Sequence, residues 1–293
     1  MYLQKYSIKD LEDITGIKAH TIRIWEKRFN LFTPDRTSTN IRLYSDEDLK
    51  KLLNILILYR QGIKISRLAA LPLPELNDLV RSSLLVGESD DIVESLIVDM
   101  IDFNRDSIER KLNRMIFNLG FEETVYRVIY PFYRRVGILW QTDAINPAQE
   151  HFVSNLIKQK LFIAIDSLEQ TQPSAKTFLL FLREDEQHEL SLLMAHYLIR
   201  KYGHKAVYLG QSVPIGDVIK AWSVIKADFL VTHFTSRMTD EDMDGYLGEL
   251  RTGTQGTPVL VSGLQVIDNE FLLSQNTILL KSPSDLNRFL LNL

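Results

Sequence analysis

At 293 residues the chain is too long for one ordinary core, and its 45% apolar and 25% charged residues are the balance of a folded globular protein. It has no cysteine, which excludes disulfides and thiolate metal sites; no signal peptide or membrane span can be read in it, so the expected location is the cytoplasm. The net charge of −4 hides an asymmetry: residues 1–70 carry 13 Lys/Arg against 8 Asp/Glu, a net of +5, and the remainder carries 21 against 30, a net of −9. A basic head on an acidic body implies a polyanionic partner for the head alone.

The head begins with an N-cap signal at Ser7 and a helix stop at Gly16, with Ile8, Leu11 and Ile14 on one face. A second helical pattern follows, in which Ile22, Trp25 and Phe29 face inward while Thr21, Arg23, Lys27 and Arg28 point outward. Two short helices joined at a glycine, the second basic on its open side, predict a helix-turn-helix. The stretch from Pro34 to Tyr44 reads as a basic hairpin, and Ser45 with Asp48 reads as a capping pattern for a helix from Asp46 to Arg60.

These parts together resemble the MerR family of transcription regulators. The matching residues are Thr21 to Phe29, then Arg36, Asn40, Arg42 and Tyr44, then Asp46 to Leu49. The resemblance implies a winged helix-turn-helix over residues 1–72 that reads a double-stranded DNA operator as a homodimer. It places Thr21, Arg23 and Lys27 at the major groove and Arg36, Arg42 and Tyr44 on phosphates. The run Leu71-Pro-Leu-Pro74 is read as the linker that follows.

Residues 75–170 read as helix throughout, with candidates Glu75–Val86, Asp90–Phe103, Arg105–Asn118, Glu122–Leu139 and Pro147–Gln170. Short breaks between them predict a four-helix-type bundle. Pro131 falls inside a helical pattern and is expected to kink it. A lone Trp in a bundle is ordinarily core, and a lone Glu-His pair ordinarily surface. Trp140, followed by Glu150 and His151, nevertheless resembles the helical cap of the cobalamin-binding, CarH/LitR-like branch of the MerR family. That resemblance puts all three over the upper face of a corrin ring.

Residues 175–293 alternate strands and helices, with strands expected at Lys176–Leu182, Lys205–Leu209, Asp228–Phe234, Pro258–Val261 and Thr277–Leu280. This predicts an α/β Rossmann-like, doubly wound parallel sheet. His188 lies in the loop at the carboxyl end of the first strand, where open α/β sheets bind ligands, and Glu186 stands two residues before it. An imidazole held by a carboxylate is a metal-ligand pair; a solvated acidic loop is the plain alternative.

The domain resembles the cobalamin-binding Rossmann-like fold, in which an acidic residue and a His precede a Gly after the first strand. In that fold the His is the lower cobalt ligand, and the displaced nucleotide tail enters a cleft beside the sheet. Glu186 and His188 match this pattern. Ser191 stands for the Gly, Thr232 for the Ser of a Ser-x-Leu, Phe234 for its Leu, and Ser262-Gly263 for a Gly-Gly. Each Gly-to-Ser change adds atoms where backbone approaches ligand closely. His196 and His204 read as structural, and His233 as core or cleft rim.

The resemblance implies a transcription regulator, a repressor rather than an enzyme, controlled by adenosylcobalamin bound at His188 and sheltered by Trp140. Light would break the cobalt–carbon bond and change a homodimer or tetramer. No membrane partner is expected. Two alternatives stay open: a regulator of this architecture that has lost cobalamin and senses another ligand or partner, and a corrinoid carrier for methyl transfer.

Overall fold

The computed structural model describes residues 5–37, 40–83, 89–141, 145–168, 175–236, 238–268 and 276–293. Its contacts divide into two compact units, Met1–Ile157 and Lys158–Leu293.

In the first unit, α1 (Ile8–Thr15) opens on a reciprocal cap. Ser7 Oγ accepts from the Asp10 amide, and the Asp10 carboxylate accepts from the Ser7 amide at 2.6 Å. Such a cap contributes about 1 kcal/mol. Gly16, at φ 72°, takes the left-handed turn that a side chain would strain. Lys18 offers no cap to α2 (Ala19–Phe29), so Glu12 of the previous helix accepts the Ala19 amide at 3.0 Å. That backbone bond, then the Lys18 ammonium, lowers the Glu12 pKa. The wing is a three-stranded antiparallel sheet in the order β1 (Lys5–Tyr6), β3 (Arg42–Ser45), β2 (Asp35–Arg36).

Ser45 then caps α3 (Asp46–Arg60) with Asp48 as its reciprocal partner. Leu49, Leu52, Leu53, Ile55, Leu56, Ile57 and Leu58 are all buried, so α3 is apolar nearly all round. A helix of that kind must be enclosed. Here α1, α4 (Ile65–Ala69), α5 (Leu73–Ser83) and α6 (Ser89–Ile101) enclose it. Leu71–Pro74 is therefore a turn and a helix start inside one core. Pro74 sits in the first turn of α5, where its missing N–H is no loss. Buried Asn54 of α3 donates to Asn77 of α5 at 2.6 Å. The domain boundary expected near residues 72–75 falls inside this unit.

The unit continues with α7 (Arg105–Leu119), α8 (Phe121–Thr124), α9 (Tyr130–Gln141) and the first part of α10 (Pro147–Asp166). Just before Pro131, where a kink is expected, the helix widens into a π turn, Val125–Ile129. The proline ring would crowd the carbonyl four residues back in an unbroken α-helix, and a widened turn relieves this.

The second unit is a five-stranded parallel sheet in the order β5 (Lys205–Val213), β4 (Thr177–Arg183), β6 (Phe229–His233), β7 (Val259–Ser262), β8 (Thr277–Leu280). On one face Leu179, Phe181, Leu230 and Val261 meet Val218 and Trp222 of α12 (Ile215–Ile225) and Met243, Leu247 and Leu250 of α13 (Asp240–Gly253). On the other, α11 (Leu190–Lys201) lies on β4, β5 and β6, and Phe289 of α15 (Pro283–Leu291) meets Phe229 at 5.2 Å. A short α14 (Leu264–Asp268) follows β7. Burial on both faces explains why the strands read as unbroken apolar runs.

Candidate functional site

On α2, Arg23 and Lys27 are exposed and Thr21 is partly so. Arg36, on β2, is exposed, and its guanidinium donates to Asn40 at 2.6 Å. Arg42 and Tyr44 project from β3 toward Glu26 of α2. Arg42 Nε donates to one carboxylate oxygen at 2.9 Å and Tyr44 Oη to the other at 2.8 Å. The bond to Glu26 raises the Arg42 pKa, and burial followed by Glu26 raises that of Tyr44. Tyr44 is 0% exposed and packs edge-on against Phe32, so it has no surface from which to meet a phosphate directly. It braces the wing from behind. Glu26, which ties wing to helix, was missed in the sequence because an acid among basic residues reads as a solvated charge.

In the cap, Tyr133 Oη donates to Ser154 Oγ at 2.8 Å, and Ser154 Oγ donates to the Glu150 carboxylate. The other oxygen of Glu150 lies 2.9 Å from His151 Nδ1. Glu150 and His151 thus form one relay, with the imidazole largely in solvent. Ser154 and Tyr133 complete it and carry no sequence signal beyond the i+4 spacing of Ser154 from Glu150. Trp140 lies in the last turn of α9, and its side chain is outside the described residues.

The third set lies where the sheet order reverses, at the carboxyl ends of β4 and β6, which is the ligand edge of an open α/β sheet. Glu186 is fully buried. Its Oε1 accepts from the His188 amide at 3.1 Å and faces His188 Nδ1 at 2.6 Å; its Oε2 accepts from the Thr235 and Ser236 amides at 3.0 and 2.7 Å. Burial alone would raise its pKa. The bonds from the His188 ring, then from the Ser236, His188 and Thr235 amides, outweigh burial and hold it well below the usual carboxylate range. A permanent carboxylate at Nδ1 puts the ring proton there and the lone pair on Nε2. The ring itself is 65% exposed.

Neighbouring groups fix this loop. Glu189 accepts from Tyr208 Oη at 2.8 Å and pairs with Lys158 Nζ at 2.7 Å. Ser191 is in the first turn of α11. Thr232 Oγ1 is buried without a hydrogen-bond partner. His233 Nδ1 lies 2.7 Å from Ser262 Oγ. Burial, partly opposed by Glu186, lowers the His233 pKa to about 4. At Gly263, with φ 108°, a Cβ would collide with the Phe234 carbonyl, so this position demands glycine. His196 stacks on Tyr208, and His204 lies tilted against Phe178, in the structural roles expected of them.

Residues 6–71 match the family described as MerR HTH family regulatory protein, and residues 92–164 match the B12 binding domain. The chain is 27% identical over 267 residues to the HTH-type transcriptional repressor CarH of Myxococcus xanthus, covering 88% of each protein. It is 23% identical over 259 residues to the HTH-type transcriptional repressor CarA of the same organism, covering 88% of this chain and 86% of that one. Among solved structures, the Methanosarcina barkeri monomethylamine corrinoid protein is 14% identical with a TM-score of 0.58, over 70% of this chain and 99% of that one. This last likeness is one of fold.

Proposed function

The chain belongs to the CarH-like regulators, in which a MerR-type helix-turn-helix head precedes a B12-binding domain, and on that premise we propose that it is a transcriptional repressor controlled by a bound cobalamin. The observation that carries the reading is the Glu186–His188 pair. An imidazole fixed through Nδ1 by a buried carboxylate presents Nε2 as a nitrogen donor, the ligand type that suits cobalt. Among the described residues no three His, Asp or Glu side chains gather as a metal cage. A metal held at His188 therefore brings most of its coordination with it, as a metal in a macrocycle does.

Adenosylcobalamin, when bound, supplies a cobalt–carbon bond that light cleaves. His188 would hold the metal through Nε2, and Glu186 would keep the ring oriented. Trp140, Glu150 and His151 would serve the same bound group, with Ser154 and Tyr133 orienting Glu150. Ser191, Ser262 and Gly263 border the crevice. In the head, Arg23, Lys27 and Thr21 read base edges, and Arg36 and Arg42 hold phosphates. The protein acts as a homodimer or tetramer on an inverted-repeat operator, because one winged helix covers only a half-site. It works in the cytoplasm and catalyses no reaction.

The test is an absorption spectrum after incubation with adenosylcobalamin in the dark and gel filtration, followed by operator binding before and after illumination. Retained corrinoid whose illumination weakens operator binding is the expected result. A colourless protein that still binds the operator would overturn the cobalamin reading. It would favour a regulator of the same architecture that senses another ligand, a reading supported by the Ser262 hydroxyl in the crevice. A spectrum and operator binding both indifferent to light would remove the photochemical part alone.

A further inference from the structure

At the carboxyl ends of β6 and β7, beside the loop that carries His188, two polar side chains meet. Phe229 faces α15, so His233, four residues along the same strand, faces that side of the sheet as well. His233 is paired in register with Ser262 of β7, which places both side chains on the same face. Their contact, His233 Nδ1 to Ser262 Oγ at 2.7 Å, pins the imidazole. The face is the one on which α11 lies, and α11 begins two residues after His188, with Ser191 in its first turn. Glu186 clamps the loop that follows His233 by accepting from the Thr235 and Ser236 amides. Just beyond the pair, the Phe234 amide donates to the Ser262 carbonyl at 2.8 Å and joins the ends of β6 and β7.

A cobalamin carries a nucleotide with a bulky base on the lower side of its corrin. When a protein imidazole ligates that side, the base must go elsewhere, and the resemblance to the cobalamin-binding fold sends it into a cleft beside the sheet, on the face that α11 and the ends of β6 and β7 share. We propose that His233 and Ser262 are specificity-determining residues that occupy this cleft, so that the site prefers corrinoids with an absent or small lower base. The inference rests on the cobalamin reading and sets which corrinoid binds most tightly. The His233 ring and the Ser262 hydroxyl take up volume that a dimethylbenzimidazole would need, and forcing groups into a packed site is unfavourable.

The experiment titrates the full chain in the dark with adenosylcobalamin and, separately, with adenosylcobinamide, which has the same upper ligand and no lower base. Bound corrinoid is read by absorption and by calorimetry. The wild type should bind adenosylcobinamide at least about tenfold more tightly, and the double variant His233→Ser/Ser262→Gly should reduce that ratio to roughly threefold or less by improving cobalamin alone. Ser262→Ala, which frees the imidazole without enlarging the backbone's freedom, should shift the ratio in the same direction. Equal affinities in the wild type, or a ratio unmoved by both variants, would overturn the filter while leaving corrinoid binding intact. Failure of the wild type and of both variants to retain either corrinoid would instead overturn the cobalamin reading beneath it.

Discussion

Arg135 of α9 joins the head to the helical cap: its guanidinium donates to the Glu94 carboxylate of α6 at 3.0 Å and to the Ile14 carbonyl at the end of α1. Glu94 is 1% exposed and also faces Arg60 of α3 at 3.5 Å. The first helix of the helix-turn-helix is therefore tied, through one side chain, to the helix that carries Trp140. Removing Arg135 leaves buried Glu94 to the longer contact with Arg60 and takes away the donor to the Ile14 carbonyl. Arg135→Met should cost about 1–3 kcal/mol in urea unfolding, and Arg135→Met with Glu94→Leu should recover part of that loss. A double variant no more stable than the single one would mean that Glu94 is held by other groups.

The DNA face yields a test in which charge and geometry predict opposite signs. Removing the carboxylate of Glu26 makes the recognition helix more basic, so charge alone predicts tighter binding. Glu26 also positions Arg42 and Tyr44, so the geometry predicts looser binding. Glu26→Ala should weaken operator binding in a gel-shift titration. Arg42→Ala should weaken it for every DNA sequence and reduce the slope of log affinity on log salt by about one unit. Arg23→Ala should lose discrimination between operator and random DNA as well as affinity. Tighter binding by Glu26→Ala would show that the wing needs no brace.

At the ligand edge, His188→Ala should abolish the spectrum of an imidazole-ligated corrinoid. Glu186→Gln should weaken binding by about 10–100-fold, the usual loss when the partner of a metal-binding His is removed. Glu186→Gln has a second consequence, because its Oε2 accepts two amides from the loop after β6. Faster proteolysis or amide exchange around Thr235 and Ser236 should accompany the loss. A variant with weakened binding and an unchanged loop would separate the two roles.

The five strands were legible because each is an apolar run closed by polar residues, and a parallel sheet buried on both faces writes itself that way. The caps at Ser7 and Ser45 were legible for the same local reason. Glu186 and His188 were found because two residues of one loop make the pair. What stayed hidden depends on residues far apart in the chain. Glu26 and Tyr44 are 18 residues apart, His233 and Ser262 are 29 apart, and Arg135 and Ile14 are 121 apart. At Leu71–Pro74, two prolines in four residues signal a break, but not whether the helices on either side share a core. The apolar surround of α3 decides that they do.

His196 sets a pH dependence for the second unit. Its ring stacks on Tyr208 at 5.2 Å, its Nδ1 is buried without a partner, and burial followed by the Arg200 charge lowers its pKa to about 4. The unfolded chain takes up its proton near the ordinary value of about 6.5, while the folded chain stays neutral until about pH 4. Between these values the unfolded state binds more protons, so stability falls as pH falls and levels off once both states are protonated. At pH 7 the effect is nearly absent; at pH 5 it amounts to about 1–2 kcal/mol. His233, shifted the same way, adds its own share. His196→Phe keeps a flat ring against Tyr208 and removes the titration. Urea unfolding at pH 7 and pH 5 should show the wild type losing more stability than His196→Phe between the two. Equal losses would mean that the His196 ring takes up its proton in the folded chain as easily as in water.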